Sequence, residues 1–204
     1  RFGWSFGDQE VFSKDELIQA FSWENCGRGD GKFDDKKFVA IDHEHLKTER
    51  LTPNAEYVER VMPFLTANGV TADKAAVERA LYTIRERARD FKEAADMLDF
   101  YFRPEPKFDD KAKAKFLVKD AAARLRGLHG ALAGGDDWSE AALEARTNEH
   151  LAKENLQIKD VAQAARVALT GKSASPGLFA VIHVLGRDVA LARLTKAAEI
   201  SDAS

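Results

Sequence analysis

The amino-acid sequence predicts an all-α fold, built as a two-part helical bundle or α-helix cage. Apolar residues recur mainly with the three-to-four-residue spacing of amphipathic helices, and the alternation typical of strands is nearly absent. A chain of 204 residues is long enough for one large domain or two small ones. Pro104 and Pro106 stop a helix and stiffen the chain. We therefore place a boundary there, giving subdomains at 1–104 and 105–204.

Helix starts in the first subdomain are marked by residues whose side chains accept hydrogen bonds from free backbone N–H groups. They are Ser13 with Glu16, Thr52 with Pro53, Thr71, and Asp90 with Glu93. The first pair has the spacing of a capping box. Gly69 is expected to end the helix that Thr52 begins. These marks predict four helices before residue 104.

The second subdomain has helix starts and stops of the same kind. A long helix is expected to begin at Asp109 and to continue past Leu117 to Leu125. Gly134 and Gly135 form a turn, and Asp137 with Glu140 caps the helix that follows. The last three helices are predicted at about 157–170, 176–185 and 187–199, with Gly171 and Gly186 at C-terminal caps.

The composition excludes several classes of protein. The formal net charge is −3, so a nucleic-acid contact would have to come from a local basic patch. Cys26 is the only cysteine, which excludes an internal disulfide and a multi-cysteine metal site and fits the cytoplasm. No apolar run approaches the roughly 20 residues of a membrane span. Because the chain begins with Arg1 rather than Met, we interpret it as a piece of a longer protein.

Catalytic motifs are not evident. Gly171-Lys172-Ser173 resembles the end of a phosphate-binding P-loop, but Arg166 stands where that motif needs its first glycine. No serine, histidine and aspartate are arranged as a nucleophile with its base. We therefore predict no catalytic residues and no metal site in this chain.

The stretch from Arg166 to Phe179 is a candidate binding site. One helix is expected to end at Gly171, and a short loop leads to a new helix capped by Ser175 and Pro176. A helix start offers free N–H groups and the positive end of the helix dipole, which suit phosphate or the acceptor atoms of a base. Arg166 and Lys172 add positive charge. From residue types alone, an ordinary helix–loop–helix corner is the favoured alternative.

Two further basic groups lie on predicted helices. They are Arg85, Arg87 and Arg89, and then Arg187, Arg193 and Lys196. One arginine of the first group could line a groove between the two halves, since the guanidinium fork suits base edges and phosphates. A solvated helix end is the favoured alternative for that group. We expect the second group to form a solvated face with a minor role in holding RNA backbone.

Several blocks of sequence, in order, resemble bacterial glutamyl-tRNA synthetases. They are Gly3-Trp4-Ser5 with Gly7-Asp8 and Glu10-Val11-Phe12-Ser13, then residues 84–93, Asp137-Trp138-Ser139-Glu140, and 166–179 with Leu185-Gly186. The most specific is Leu169-Thr170-Gly171 followed by Ser175-Pro176-Gly177-Leu178-Phe179. The blocks span nearly the whole chain and resemble the anticodon-reading, C-terminal part of that family. The stretch from Ala40 through Asp42 to His45 departs from the family pattern.

The resemblance implies a cage of two helical subdomains that binds the anticodon loop of glutamate tRNA and unstacks its bases. Splayed single-stranded loops are where proteins commonly read RNA sequence. Arg87 matches the arginine that recognises the third anticodon base, a cytosine, whose O2 and N3 atoms accept hydrogen bonds. Positions matching contacts to the other two bases are Arg166, Ser175, Pro176 and Leu178. Lys172 lies in the same loop and completes the expected RNA-binding set.

By the same resemblance, the full-length parent attaches glutamate to tRNA with ATP and Mg²⁺, whereas no cofactor is expected in this chain. We expect a cytoplasmic monomer that contacts neither membrane nor DNA. The alternative is a non-catalytic helical scaffold for protein partners, which salt would affect much less than RNA binding. A DNA-binding helix-turn-helix ranks last, because Leu178–Leu185 is almost wholly apolar and offers no polar face for base edges.

Overall fold

A computed structural model describes residues 3–27, 29 and 31–204 of the chain. Arg1, with which the sequence begins, lies outside the described residues, as do Phe2, Arg28 and Asp30. Over the described ranges the chain forms eleven α-helices, two short 3₁₀ helices and no strand. The predicted all-α fold class is therefore confirmed. No helix in this part of the chain is both long and apolar enough to cross a membrane.

The chain divides into two compact units, at residues 1–96 and 97–204. The first unit contains α1 to α4 and most of α5. Their bounds are α1 Lys14–Ala20, α2 Asp35–Lys47, α3 Asn54–Ala67, α4 Lys74–Leu81 and α5 Phe91–Leu98. The division falls inside α5, eight residues before the boundary predicted from the two prolines. That boundary concerns where two subdomains meet, and it stays a prediction.

The core of the first unit forms where α3 packs on α4. Tyr57, Val61 and Leu65 of α3 are fully buried, as are Val77 and Ala80 of α4. Burial raises the pKa of Tyr57 to about 12, with Asp90 adding to the rise and Arg85 opposing it. The divergent residues Ala40, Asp42 and His45 lie on α2, where the first two are exposed and the third is half-buried.

The second unit contains the remaining six α-helices. They are α6 Asp110–Phe116, α7 Lys119–Ala133, α8 Glu140–Lys153, α9 Ile158–Thr170, α10 Leu178–Leu185 and α11 Arg187–Asp202. Helices α7 and α11 pack closely along each other, and α9 packs on both. Leu125, Leu132, Leu169 and Leu194 are fully buried between them. This core fixes α9, whose C-terminal end leads into the candidate loop.

The predicted helix starts are partly right. Ser13 and Glu16 form the expected capping box, with the Glu16 N–H 3.1 Å from Ser13 Oγ. Asp90 accepts from the Glu93 N–H at 2.7 Å, as predicted. Thr52 and Thr71 were the wrong residues, since Pro53 and Asp73 occupy the N-cap positions of α3 and α4. These two errors are shifts of one and two residues along the chain.

Two predictions in the second unit are also wrong in detail. The helix expected from Asp109 to Leu125 is two helices, because Leu117 leaves the helical conformation and Val118 is extended. Leu117, the residue at this break, has a buried side chain. The N-cap of α8 is Ser139, while Asp137 accepts from the Ser139 N–H at 2.9 Å. The glycine caps at Gly171 and Gly186 are confirmed.

Candidate RNA-binding site

Arg87 lies in the turn 82–88, which follows α4 and precedes α5. Its backbone N–H donates to the carbonyl of Ile84 at 2.8 Å, and the Ala88 N–H donates to the same carbonyl at 3.0 Å. Ile84 and Ala88 are fully buried, whereas Arg87 is exposed. The turn is thus anchored on both sides of the residue that it presents to solvent.

The neighbouring arginines have different surroundings. Arg85 is buried and donates to backbone and side-chain acceptors within the first unit, so it does not line a groove. Arg89 forms an ion pair with Glu93 at 2.9 Å, and this bond is the main cause of the lowered pKa of Glu93. The helix expected to carry all three ends at Leu81. Arg87 is therefore the exposed arginine of a turn whose neighbouring residues Ile84, Arg85 and Ala88 are buried.

Gly171 ends α9 in the second unit and begins the loop that contains the other predicted residues. Its φ is +76°, a left-handed conformation that glycine adopts most easily. A Cβ placed on it would lie 2.1 Å from the carbonyl oxygen of Lys107. The Gly171 carbonyl also accepts from the Asp109 N–H at 2.8 Å. The start of the loop is therefore held tightly against residues 107–109.

Thr170 links the backbones of Arg166 and Lys172, a role that was not predicted from the sequence. It is 1% exposed. Its hydroxyl lies 2.8 Å from the Arg166 carbonyl and 3.1 Å from the Lys172 carbonyl, to either of which it can donate. The same oxygen accepts from the Lys172 N–H at 3.2 Å. Thr170 therefore holds together the backbone of the last turn of α9 and the beginning of the loop.

Ser175, Pro176 and Leu178 lie where the loop meets α10. The predicted cap is wrong, because Gly177 is the N-cap and makes no side-chain cap bond. The Ser175 hydroxyl instead donates to the Pro176 carbonyl at 2.9 Å. Pro176 and Leu178 are buried, and Ser175 is half-buried. The exposed part of the loop is Lys172 to Ala174.

Arg166 shares one face of α9 with Gln163, one turn earlier. Arg166 Nε and Gln163 Oε1 are both buried and have no hydrogen-bond partner within the described part of the chain. Gln163 also lines a cavity of about 510 Å³ with Ser173 and with Lys111 and Lys115 of α6. Buried polar atoms are rarely left unpaired in folded proteins, so an unpaired donor and an unpaired acceptor on residues three apart in one helix suit a polar ligand. The three-residue spacing from Arg166 was the available signal for Gln163.

The solvated face expected on α11 is wrong for Arg193, which is buried, whereas Arg187 is half-buried and Lys196 is exposed. Arg193 is 5% exposed, and its guanidinium donates to the carbonyls of Leu169, Phe100 and Arg103 at 2.5, 2.9 and 2.7 Å. Burial lowers its pKa to about 10. Arg187 donates to the carbonyl of Ala133 at 2.7 Å, and Lys196 pairs with Glu105. All three bind other parts of the second unit.

No group of three or more His, Cys, Asp or Glu side chains in residues 3–27, 29 and 31–204 is placed to hold a metal ion. The candidate site is thus a set of arginine, lysine, hydroxyl and amide groups. Arg87 belongs to the first unit, and Arg166, Lys172, Ser175, Pro176 and Leu178 belong to the second.

Comparison with known proteins identifies the family to which the chain belongs. The family model described as the anticodon binding domain matches residues 56–198, which is more than two thirds of the chain. A glutamate–tRNA ligase of an Anaeromyxobacter species is 38% identical over 98% of this chain and 42% of its own length. The corresponding ligase of Syntrophobacter fumaroxidans is 40% identical over 99% of this chain and 43% of its own length. The chain therefore spans about two fifths of these relatives.

Solved structures show the same fold. A crystal structure of a glutamate tRNA ligase from Elizabethkingia meningosepticum has a TM-score of 0.81 at 22% identity, over 97% of this chain and 39% of that one. The glutamate–tRNA synthetase of Elizabethkingia anophelis has a TM-score of 0.76 at 23% identity, over 97% and 38%. The helical architecture and the sequence match agree, and the chain belongs to the anticodon-binding domain family, with a sequence similar to about two fifths of the length of the glutamate–tRNA ligases compared.

Proposed function

We propose that this chain binds the anticodon loop of glutamate tRNA and reads its bases with one group of residues in each unit. The observation that carries the proposal is the pair of unpaired buried atoms, Arg166 Nε and Gln163 Oε1, beside a loop of the matched family. An unpaired donor and acceptor on one helix face can pair with the edge of an unstacked base.

Arg87 is proposed to read the third anticodon base. Its guanidinium is exposed on an anchored turn and can donate to the O2 and N3 acceptors of a cytosine. On the Watson–Crick edge, where cytosine carries O2 and N3, guanine would instead present its N1 and N2 donors to the donating guanidinium. A good base contact contributes about 1–3 kcal/mol of discrimination. Arg87 is therefore the proposed determinant against tRNAs with a guanine at that position.

Arg166, Ser175, Pro176 and Leu178 are proposed to contact the other two bases. Arg166 supplies a donor and Ser175 a hydroxyl, whereas the side chains of Pro176 and Leu178 are buried. Contact at the latter two is therefore proposed through their backbone atoms. Lys172, exposed at the start of the loop, is proposed to meet the RNA backbone as a point charge.

Charge near this loop is positive although the formal net charge is −3. Lys111 and Lys115 line the cavity beside Gln163 together with one carboxylate, Asp109, and Lys172 follows Gly171 in the loop. Helix α10 has five buried residues among its eight, so it lacks the polar face of a DNA recognition helix. A local basic patch beside a loop favours a small RNA element over a DNA groove.

The whole protein is proposed to be a glutamate–tRNA ligase that uses ATP with Mg²⁺ outside this chain. We further propose that it works in the cytoplasm, where its tRNA substrate would be charged, and that it is a monomer. Sedimentation of the purified protein tests the last point. No step of the ligase reaction is assigned to residues of this chain.

The test is fluorescence anisotropy with a labelled RNA stem-loop carrying the glutamate anticodon, against the same stem with an unrelated loop. We expect preference for the anticodon loop, and an affinity that falls as salt rises. Arg166→Met should weaken binding, whereas Arg126→Met is the matched control, because Arg126 is exposed and paired with Asp202. Equal binding of both loops, or equal losses in the two variants, would contradict the assignment.

A further inference from the structure

We propose that Arg85 is a positioning residue for base recognition: it holds the turn that presents Arg87 at the geometry needed to read the third anticodon base. The inference rests on the proposed role of Arg87. Arg85 itself is 8% exposed and is not offered to RNA.

The guanidinium of Arg85 ties the turn to two helices of the first unit. Its Nε donates to the Lys47 carbonyl at 3.2 Å, at the end of α2. One terminal nitrogen donates to Asn54 Oδ1 at 2.6 Å, at the start of α3, and the other donates to the Thr52 carbonyl. The Arg85 side chain therefore donates to three separate acceptors, which lie 31 to 38 residues earlier in the chain.

The environment of Arg85 keeps it in this position. Its Cζ lies 5.0 Å from the centre of the Tyr57 ring, which is fully buried on α3. A cation over an aromatic face is attracted by the ring, and more strongly where water is excluded. Burial also lowers the pKa of Arg85. The side chain is thus desolvated and depends on its acceptors within the protein.

Other bonds hold the same turn near Arg85. His43 Nε2 lies 3.2 Å from the carbonyl oxygen of Glu86, the residue between Arg85 and Arg87. Ile84 and Ala88 are buried in the core of the first unit. Within residues 84–88, the side chains that reach solvent are those of Glu86 and Arg87. Arg87 therefore projects from a backbone that is fixed at the residues around it.

A fixed backbone matters because base discrimination depends on geometry. A donor already held in the bound arrangement loses less conformational freedom on binding. A lysine at position 85 carries its donors on a single nitrogen, whereas the three acceptors are met by three different nitrogens of the planar arginine fork. Loosening the turn should therefore reduce the difference in affinity between the cytosine and guanine loops while leaving the helix content of the protein unchanged.

The test compares binding of two labelled anticodon stem-loops, with cytosine or guanine as the third base, by fluorescence anisotropy. The variants are Arg85→Met, Arg85→Lys, and each combined with Arg87→Gln. Arg193→Met is the matched control, because Arg193 is also buried and also donates to three acceptors, but in the second unit. Circular dichroism reports helix content for every variant.

We expect each Arg85 variant to keep wild-type helix content and to lose about tenfold in the cytosine-to-guanine affinity ratio, or about 1.4 kcal/mol. Adding Arg87→Gln should then change the ratio little, because the two residues act as one unit. Arg193→Met should leave the ratio unchanged. A wild-type ratio in a folded Arg85 variant would overturn the inference while leaving the role of Arg87 intact.

The remaining outcomes are also decisive. If both Arg85 variants lose helix content, Arg85 serves the fold and the positioning role is overturned. If Arg193→Met lowers the ratio as much as the Arg85 variants do, the effect is general, and the inference is again overturned. If the wild-type chain binds both loops equally, the proposed function of Arg87 fails, and the inference fails with it.

Discussion

Replacement of Gly171 by alanine should destabilise the protein more than the same change at Gly69, which follows the end of α3. Gly171 has a φ of +76° and Gly69 a φ of +72°, so both substitutions carry the strain of a positive φ. They differ in the space available, since a Cβ on Gly171 lies 2.1 Å from the Lys107 carbonyl oxygen, whereas a Cβ on Gly69 meets nothing within 4 Å. The pair separates backbone strain from steric overlap.

The expected cost at Gly69 is about 1–2 kcal/mol, the penalty of a left-handed conformation for an L-residue. Gly171→Ala adds the overlap with the carbonyl oxygen of Lys107, a backbone atom that must move. That movement should break the 2.8 Å bond from the Asp109 N–H to the Gly171 carbonyl, costing a further ~0.5–1.5 kcal/mol. We therefore expect Gly171→Ala to cost about 1.5–3.5 kcal/mol in total.

Urea unfolding followed by circular dichroism measures both costs against the wild type. In thermal unfolding, each kcal/mol should lower the Tm by about 2–4 °C for a chain of this size. The Gly171 variant should also bind the anticodon stem-loop more weakly, because its loop starts at the displaced residue. Equal free energies of unfolding for Gly171→Ala and Gly69→Ala would show that overlap with the Lys107 carbonyl adds nothing to the cost.

Three further predictions concern single side chains. Thr170→Val should cost about 1–3 kcal/mol in urea unfolding, because it leaves the Lys172 N–H without its acceptor. Thr195→Val, on an exposed surface, is the control, and an equal or larger cost there would contradict this prediction. The hydrogen bond from Arg50 is the main cause that lowers the pKa of Glu16 from 4.5 to about 2. The stabilisation that Glu16 contributes is therefore present above pH 4.5 and is lost as the pH falls towards 2. Glu16→Gln should therefore flatten acid unfolding measured between about pH 4.5 and 2, and an unchanged profile would count against the pair. Lys172→Ala should reduce the slope of log affinity against log salt by about 1, as measured by anisotropy, with Lys153→Ala as a control that leaves the slope unchanged.

Local features of the fold could be predicted from the sequence because they depend on residues close together in the chain. Ser13 and Glu16 cap each other across three residues, and Gly171 takes a conformation that its own lack of a side chain permits. Thr52 and Thr71 are not the caps, since Pro53, one residue later, and Asp73, two residues later, occupy the N-cap positions. Such shifts leave the helix in place and change only its first residues.

The burial of the arginines could not be predicted, because it depends on distant acceptors. Arg85 bonds to residues 31 to 38 positions earlier, and Arg193 reaches acceptors 24 to 93 positions earlier. By residue type and spacing, Arg85 and Arg87 are equivalent members of one basic cluster, and only the family resemblance singled out Arg87. The structure separates them, with Arg85 inside the protein and Arg87 on its surface.

The central claim, that the chain reads the glutamate anticodon, is tested most directly by anisotropy with cytosine and guanine loops at fixed moderate salt, for wild type and Arg87→Gln. The account predicts that the wild type prefers the cytosine loop by about tenfold, or 1.4 kcal/mol, and that Arg87→Gln binds both loops alike. Absence of binding to either loop at low salt, or a preference that survives Arg87→Gln, would contradict it. Absence of binding would then favour the helical scaffold for protein partners.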